Sequence, residues 1–437
     1  MFSNFAQVED FFNSRKLYGM KPGLDRIHKL LQMLGNPQDK INAVHVAGTN
    51  GKGSTVYYLR NALIANGYSV GVFTSPSLEG ITGHILKNDK MLQQSEWIAI
   101  LNRMLPCISE LDHDANHPTE FEIITAAAFL YFADNVEIAL IEAGMGGRED
   151  TTNCFSPLLS VITNVEKDHI AFLGNTKTSI AYHKAGIIKK DKPVIVGEME
   201  TGALNVIREE AAERDAPVYH LSHEFQYSLP IQSEISQSFE WTLGDRGLLL
   251  RVTLNMHGIH QVKNASLAIM VLRLLRKRGY VLDWNRCLDA LYQTVIPGRF
   301  ERIGPSLILD GAHNPAGVNA FIKTLGNDQT ETKHLIFAAF RDKDLEKMLR
   351  LLCDRFSTVT LTSFDHPRAA SCDELMAAAP DSNKNIKVIR DWKEAIQLIP
   401  ENSSSSLCWY VTGSLNFIDE VRKYIHFRRE QEEQRNG

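Results

Sequence analysis

Residues 43–55, AVHVAGTNGKGST, join an apolar run to a glycine-rich turn that holds one lysine. Gly48, Gly51 and Gly53 lack a Cβ, so the main chain there can wrap closely around an anion. The N–H groups of such a turn, with the positive end of a following helix, favour phosphate oxygens, and Lys52 adds a full charge. The spacing departs from the usual phosphate loop. Ser or Thr ordinarily follows the lysine directly, whereas Gly53 intervenes here, and Val46 occupies the place of the earlier glycine. An apolar β-type run (Ile41, Ala43, Val44, Val46) precedes the turn, and Ser54 and Thr55 open a helical stretch after it. That context predicts a phosphate-binding loop rather than a turn with a chance lysine.

Other polar residues stand where β-type runs end. SVGVF is followed by Thr74-Ser75-Pro76, and VEIALI by Glu142 and the turn AGMGGR. LSVI runs into Thr163-Asn164, with Asp168-His169 close behind. Ligands of open α/β sheets bind at such strand ends. If these ends share one face, the Ser75 hydroxyl, the Glu142 carboxylate and the His169 imidazole converge near the phosphates. Hydroxyl and carboxylate suit Mg²⁺, for which histidine is a less usual ligand. Spacing leaves open a salt-bridged acid at 142 and an exposed loop histidine at 169. Lys184 lies among apolar residues in IAYHKAGII. It reads either as a buried lysine of lowered pKa or as a snorkelling lysine on a surface helix, and the pattern by itself favours the second. Later, Asp310 ends the run SLILD and precedes GAHNP. A ribose- or phosphate-side ligand and a local Asx turn both fit it. Arg299, in IPGRF, could reach a phosphate.

The elements that must position these residues follow from the periodicity. Short β-rich runs at 41–47, 69–74, 136–143, 159–165 and 193–197 alternate with helical patterns, notably 54–66 and 120–133. Such alternation predicts a parallel sheet covered by helices. Residues 218–257 break the rhythm with short alternating runs and a GDRG turn, which predicts a small antiparallel patch; a helix follows over 261–278. IPGRF at 296–300 marks a break, dividing the chain into 1–297 and 298–437. A second β/α alternation follows, with strands at 306–310, 334–339, 357–363, 386–389 and 407–412, a serine loop at 403–406 and a charged helical tail. The fold class is α/β: a phosphate-loop ATPase-type domain and a Rossmann-like C-terminal domain.

The chain has 437 residues, enough for two or three domains, with 44% hydrophobic and 23% charged residues. A net charge of −5 gives no general drive toward nucleic acid or an anionic membrane. The six cysteines (107, 154, 287, 353, 372, 408) show no CxxC spacing and read as reduced cytoplasmic thiols. MFSNFAQVEDFF does not read as a signal peptide, and no run is long enough to span a bilayer.

GTNGKGS, FTSP, PTEFEIITAAAF, EAGMGGREDTTN, ITNVEKDH, KAGIIK, HQVKNASLA, PGRFE, LDGAHNP, DKD and VTGSLNFI occur in this order. From about residue 20 to 420 the chain resembles folylpolyglutamate synthase and the bifunctional dihydrofolate synthase, of the Mur ligase superfamily. The resemblance implies an ATP-dependent amide ligase that activates a folate or pteroate carboxylate as an acyl phosphate and joins it to L-glutamate. It places ATP contacts on Thr49, Asn50, Gly51, Lys52, Gly53, Ser54, Asn264, Arg299 and Asp310, with His313 near the phosphates. Lys52, Lys184 and His313 become the catalytic set. Magnesium ligands fall on Ser75, Glu142, His169 and a carbamylated Lys184, which reverses the pattern-only reading of that lysine. Pteroate-side contacts fall on Gly23, Leu24, Asp25 and Arg26, on Thr119, Glu120, Phe121 and Glu122, and on Asp150 and Thr151. Two Mg²⁺ ions, a monovalent cation such as K⁺ and a cytoplasmic monomer are implied as well, with neither nucleic acid nor membrane as partner. Three departures stand out: Ser77 replaces a frequent His, Gly83-His84-Ile85 replaces Glu-Arg-Ile, and His183 replaces Glu. They keep open a Mur-type ligase for a different carboxylate. A catalytically silent nucleotide-binding regulator is the reading from another class, and the intact Lys52, Glu142, His169 and Lys184 argue against it.

Overall fold

The computed structural model describes residues 1–19, 21, 23–75, 80–233, 235–244, 247–304, 306–326, 330, 332–380, 385–400 and 407–436, with side chains to 431. It divides into two units: Met1–Leu254 with Gln261–Thr294, and Asn255–His260 with Val295–Gly437.

The first unit is built on an eight-stranded sheet. Its strands are β1 (Ala43–Ala47), β2 (Val70–Phe73), β3 (Ile85–Lys87), β4 (Lys90–Met91), β5 (Ile138–Glu142), β6 (Leu159–Ile162), β7 (Val194–Val196) and β8 (Val218–His220). Their spatial order is β4-β3-β2-β5-β1-β6-β7-β8. The pairs from β2 across to β8 are parallel, and the β3–β4 hairpin, which the periodicity did not reveal, adds antiparallel strands at one edge. Every residue of β1, β2, β5, β6 and β7 is buried, as expected of strands covered on both faces. The chain leaves β1 toward β2 and later returns to pair β6 on the other side, so β1 lies at a topological switch point.

Two helices matter most for the site. Lys52–Ala65 follows β1 directly and starts two residues earlier than the sequence suggests. In Glu120–Asn135 every residue from Glu122 to Phe132 is buried, so this is a core helix without a solvent face over that span. A reciprocal Thr119–Glu122 capping box fixes its start. The antiparallel patch is a second sheet of β9 (Phe225–Tyr227), β10 (Ile231–Gln232), β11 (Gln237–Leu243) and β12 (Leu249–Leu254). Residues 218–220, expected in that patch, belong instead to the large sheet. After the helix Thr201–Glu213 the chain is long enough to cross over and pair parallel to β7.

The second unit carries six strands: β13 (Glu301–Arg302), β14 (Leu307–Asp310), β15 (Thr332–Phe337), β16 (Thr358–Ser363), β17 (Ile386–Asp391) and β18 (Leu407–Thr412). Their order is β13-β14-β18-β15-β16-β17, parallel except at β13. The charged tail continues the helix Leu415–Asn436, and the serine loop at 403–406 lies outside the described residues. Among the described residues no helix is long and apolar enough to cross a membrane.

Candidate active site

The glycine-rich loop leaves β1 under tight steric control. Gly48 has φ +153°, and a Cβ there would fall 1.8 Å from Thr163 Oγ1. Gly51 has φ +84°, and its Cβ would fall 2.3 Å from Asn264 Oδ1. Both positions therefore require glycine, and Asn264 is brought against the loop. Hydrogen bonds stitch the loop to the segment after β6. Thr163 Oγ1 donates to Asn50 O at 2.6 Å, and Asn50 N donates to Asn164 Oδ1 at 3.0 Å. Thr49 Oγ1 donates to Glu166 O and accepts from Glu166 N, both at 3.0 Å. Lys52 and Gly53 form the first helical residues, and Ser54 is buried behind them.

Neighbouring strand ends meet this loop. Lys52 Nζ lies 3.8 Å from Glu142 Oε1 at the end of β5. Thr74 Oγ1, just past β2, donates to Glu142 Oε2 at 2.7 Å. A Cβ on Gly53 would sit 3.7 Å from the same oxygen. Next to Thr74, the Ser75 hydroxyl oxygen is shielded from solvent and has no hydrogen-bond partner among the described residues. Such an orphaned oxygen beside a carboxylate fits a hard cation's donor set. His169 is exposed and caps the short helix Ile170–Leu173 in a left-handed conformation, its N–H donating to Asp168 Oδ1 at 2.9 Å. Among the described residues no three His, Cys, Asp or Glu side chains are grouped as metal ligands. A site here would thus draw on hydroxyl oxygen as well as carboxylate.

Lys184 is 3% exposed. On the helix Lys177–Ala185 it shares the packed face with Ile180 and Ala181, so the snorkelling expectation fails: this side chain points inward. Burial first, and the Lys52 charge second, push its pKa from 10.5 down to about 7, against the opposing pull of Asp168 and Asp150. The loop after β5 holds this helix in place. Arg148 N donates to His183 O at 2.6 Å, and His183 Nδ1 meets Glu149 Oε2 at 2.7 Å. His183, which departs from the expected Glu, is thus matched by a carboxylate from the loop.

Asp150 belongs to the same loop. Its Oδ2 accepts from Met145 N at 2.7 Å, and its Oδ1 accepts from Thr152 N at 3.0 Å and Thr152 Oγ1 at 2.5 Å. Burial raises its pKa while these donors oppose the rise. A Cβ on Gly144 would lie 3.0 Å from Phe121 Cζ and 3.2 Å from Asp150 Oδ2, so ring and carboxylate flank one point of the backbone. Thr151 is half-buried beside them. Phe121 packs with Phe73 at 5.7 Å and with His84 at 6.3 Å between ring centroids. His84 Nδ1 contacts Thr74 O at 2.7 Å, and burial lowers its pKa. Gly83 is buried beside it, and Ser77 lies outside the described residues. Glu122 pairs with Arg26 (Nη2 to Oε1 3.1 Å, Nε to Oε2 3.2 Å) and accepts from Thr119 N at 2.7 Å. Gly23 and Leu24 lead into the helix that begins at Asp25, and burial raises the pKa of Glu120.

In the second unit, Asp310 ends β14 and is buried. It accepts from Phe300 N at 2.8 Å and Ala312 N at 2.9 Å. Desolvation lifts its pKa to about 6, against the neighbouring Arg299 charge. Arg299 Nη1 donates to Gly311 O at 3.3 Å, and His313 Nδ1 lies 2.9 Å from the same oxygen. Asn314 caps the helix Pro315–Leu325.

Known proteins resemble this chain in sequence and fold. Residues 46–272 match the Mur ligase middle domain, and residues 298–415 match the Mur ligase, glutamate ligase domain. The dihydrofolate synthase/folylpolyglutamate synthase of Bacillus subtilis (strain 168) is 37% identical over 436 residues, covering 97% of this chain and all of that one. The chain belongs to the folylpolyglutamate synthase/dihydrofolate synthase family of Mur ligases. Two solved structures of the family superimpose closely. Mycobacterium tuberculosis folylpolyglutamate synthase complexed with ADP and AMPPCP gives a TM-score of 0.87 at 28% identity, covering 96% of this chain and 98% of the other. E. coli FolC in complex with DHPP and ADP gives 0.86 at 26% identity, covering 98% and 99%.

Within the first unit the structure brings Lys52, Glu142 and Thr74 into contact, places Lys184 in the field of Lys52, Asp150 and Asp168, and sets Phe121 beside Asp150. Arg299, Asp310 and His313 form a separate local cluster in the second. Sequence reasoning named Thr74, Thr163 and Asn164 at strand ends without giving them a role: Thr163 and Asn164 anchor the loop, and Thr74 holds Glu142. Their place directly after β-type runs was the available signal. It also passed over His45 and Thr152.

Proposed function

We propose that this chain is an ATP-dependent ligase that adds L-glutamate to a folate, with dihydropteroate as a second carboxylate substrate. The observation that carries this reading is the meeting of Lys52 and Glu142 at the switch-point end of the parallel sheet, with buried Lys184 in the field of Lys52. The family resemblance assigns ATP contacts to Thr49, Asn50, Gly51, Lys52, Gly53, Ser54, Asn264, Arg299 and Asp310. Lys52 neutralises charge on the transferring phosphoryl group. A substrate carboxylate oxygen attacks the γ-phosphorus and ADP leaves. The glutamate amine then attacks the acyl carbon, phosphate leaves, and the amine proton passes to solvent.

Mg²⁺, when bound, supplies electrostatic stabilisation of the phosphoryl oxygens. Ser75, Glu142 and His169 would hold one ion, and Lys184 as a carbamate would hold a second. The lowered pKa of Lys184 supports the carbamate, because CO₂ reacts with a neutral amine and an ammonium would repel the metal. The folate end is assigned to Gly23, Leu24, Asp25 and Arg26, to Thr119, Glu120, Phe121 and Glu122, and to Asp150 and Thr151. His313 lies on the phosphate side. A monovalent cation such as K⁺, a monomeric state, a cytoplasmic location and a functional division into 1–297 and 298–437 complete the proposal on family resemblance.

A second reading, ligation to a different carboxylate, draws on His84, which stands beside Phe121. Phosphate release with ATP and glutamate, run with tetrahydrofolate and dihydropteroate in parallel, decides between the two. Release that depends on glutamate and either pteridine supports folate ligation, and release with neither overturns it.

A further inference from the structure

His45 stands in the middle of β1, a strand whose five residues are all buried. Its neighbours across the sheet are Ile141 on β5 and Ser160 on β6. An apolar residue would satisfy packing there, yet the position carries an imidazole at 0% exposure. Its Nε2 lies 2.9 Å from Thr152 Oγ1, and its Nδ1 is buried with no partner among the described residues. Leaving a buried acceptor unpaired costs stability. A sequence that keeps it gains something from the other nitrogen.

The polarity of the chain of hydrogen bonds is fixed by its end. Both Asp150 oxygens accept main-chain N–H bonds, Oδ1 from Thr152 and Oδ2 from Met145, which makes the carboxyl group the accepting end, so the Thr152 hydroxyl donates to Oδ1 across 2.5 Å. That hydroxyl oxygen then accepts from His45, which places the imidazole proton on Nε2 and leaves Nδ1 bare. The bare, buried Nδ1 is what this tautomer demands. Burial also holds the ring neutral. From the opposite side Met145 N donates to Oδ2. Phe155 packs on the His45 ring at 5.1 Å and restricts its rotation.

We propose that His45, acting through Thr152, is a positioning residue for Asp150, and thereby sets recognition of the flat heterocycle that lies against Phe121. This rests on the folate reading, in which Asp150 meets the pteridine end of the substrate. A carboxylate oriented at the edge of an aromatic plate suits an N–H donor on the edge of a flat heterocycle. The relay and the Thr152 N–H fill Oδ1, Met145 N takes one site on Oδ2, and the free site left on Oδ2 is the one that faces a ligand. His45 touches no reacting atom, so its effect belongs in binding of the pteridine and not in phosphoryl transfer.

Glutamine and asparagine separate this role from packing. The glutamine amide nitrogen reaches the place of Nε2 and can donate to Thr152, whereas that of asparagine reaches only the place of Nδ1. His45→Gln is expected to bind dihydropteroate within about twofold of wild type, and His45→Asn and Thr152→Val about tenfold more weakly. Thr152→Ser should restore binding. Binding is read by pteridine fluorescence, and KM by phosphate release, with KM for ATP expected to stay within about twofold throughout. Equal pteridine affinity in the Gln and Asn variants, or a parallel rise in KM for ATP, overturns the inference. A wild-type protein that binds no pteridine overturns the folate reading and this inference together, whereas a binding wild type with an unaffected Thr152→Val overturns this inference alone.

Discussion

The strand-end clusters of the two units are built in opposite ways. In the first, Lys52, Thr74, Glu142 and Lys184 come from four separate segments, and the Lys52–Glu142 contact spans two crossovers of the sheet. In the second, Asp310 is held by the N–H groups of Phe300 and Ala312, and Arg299 and His313 both meet Gly311 O, all within one short stretch. The first cluster therefore depends on the sheet to bring two lysines together with carboxylates. The second is a single carboxylate solvated by its own turn. Substitutions in the first should alter chemistry while leaving the fold, whereas those in the second should register in stability too.

The largest effect is expected at Lys52. Lys52→Ala removes the charge aimed at the transferring phosphoryl group and should lower turnover on the order of 10²-fold or more. The melting temperature should change little, because the side chain is anchored by one 3.8 Å ion pair. Near-normal phosphate release would break the contrast between the clusters. Lys184→Ala should follow, with a loss of about 100-fold that small carboxylic acids partly restore by occupying the vacated space. In the wild type, lowering the pH through about 7 protonates this amine, so activity should fall on that side and respond to added bicarbonate. Equal activity in CO₂-free and bicarbonate-supplemented buffer at pH 6.5, a value roughly half a unit below that midpoint, would remove the carbamate from the scheme.

The contrast also explains what the sequence revealed. The Asp310 turn and the Gly48–Lys52 loop are local, so their motifs could be seen before any fold was known. So could the strands, because β1 and β5 read as mainly apolar runs, broken by His45 within β1 and ended by Glu142 in β5. Lys184 could not be placed, since whether a lysine faces in or out depends on the loop after β5 that packs against its helix. Residues 218–220 went to the wrong sheet because a three-residue strand carries no periodicity of its own. The His45–Thr152–Asp150 relay was hidden for the same reason as the Lys52–Glu142 pair. Its members are far apart in sequence, and a single histidine in an apolar run looks like any other core residue.

In the second cluster the expected readout is a pH-dependent stability. The folded state holds Asp310 near pKa 6, above its ordinary 3.8. Between these values the native state binds more protons than the unfolded chain, so stability falls as pH rises through the window, and the full penalty is present above 6. Asp310→Asn lacks that titration. Its stability relative to wild type, whatever the offset at pH 4 (near the unfolded pKa, ~4), should improve by up to about 3 kcal/mol on going to pH 7. Denaturant titrations of both proteins across this range measure it. A constant difference would mean that the backbone donors fully offset burial.

The smallest effect, and the sharpest for the first cluster, is expected from Glu142→Gln. Glutamine keeps an oxygen to accept from Thr74 Oγ1, so the strand ends stay joined. What disappears is the charge that faces Lys52 at 3.8 Å. If Glu142 serves Mg²⁺ beside the orphaned Ser75 hydroxyl, apparent metal affinity should fall about tenfold while turnover at saturating Mg²⁺ recovers most of its wild-type value. If the carboxylate serves only to pair Lys52, the Mg²⁺ titrations of mutant and wild type coincide, and the loss appears instead as a change in KM for ATP, because Lys52 is then free to shift toward or away from the phosphates. The two outcomes move different parameters, so one set of titrations assigns Glu142 either to the metal or to the lysine.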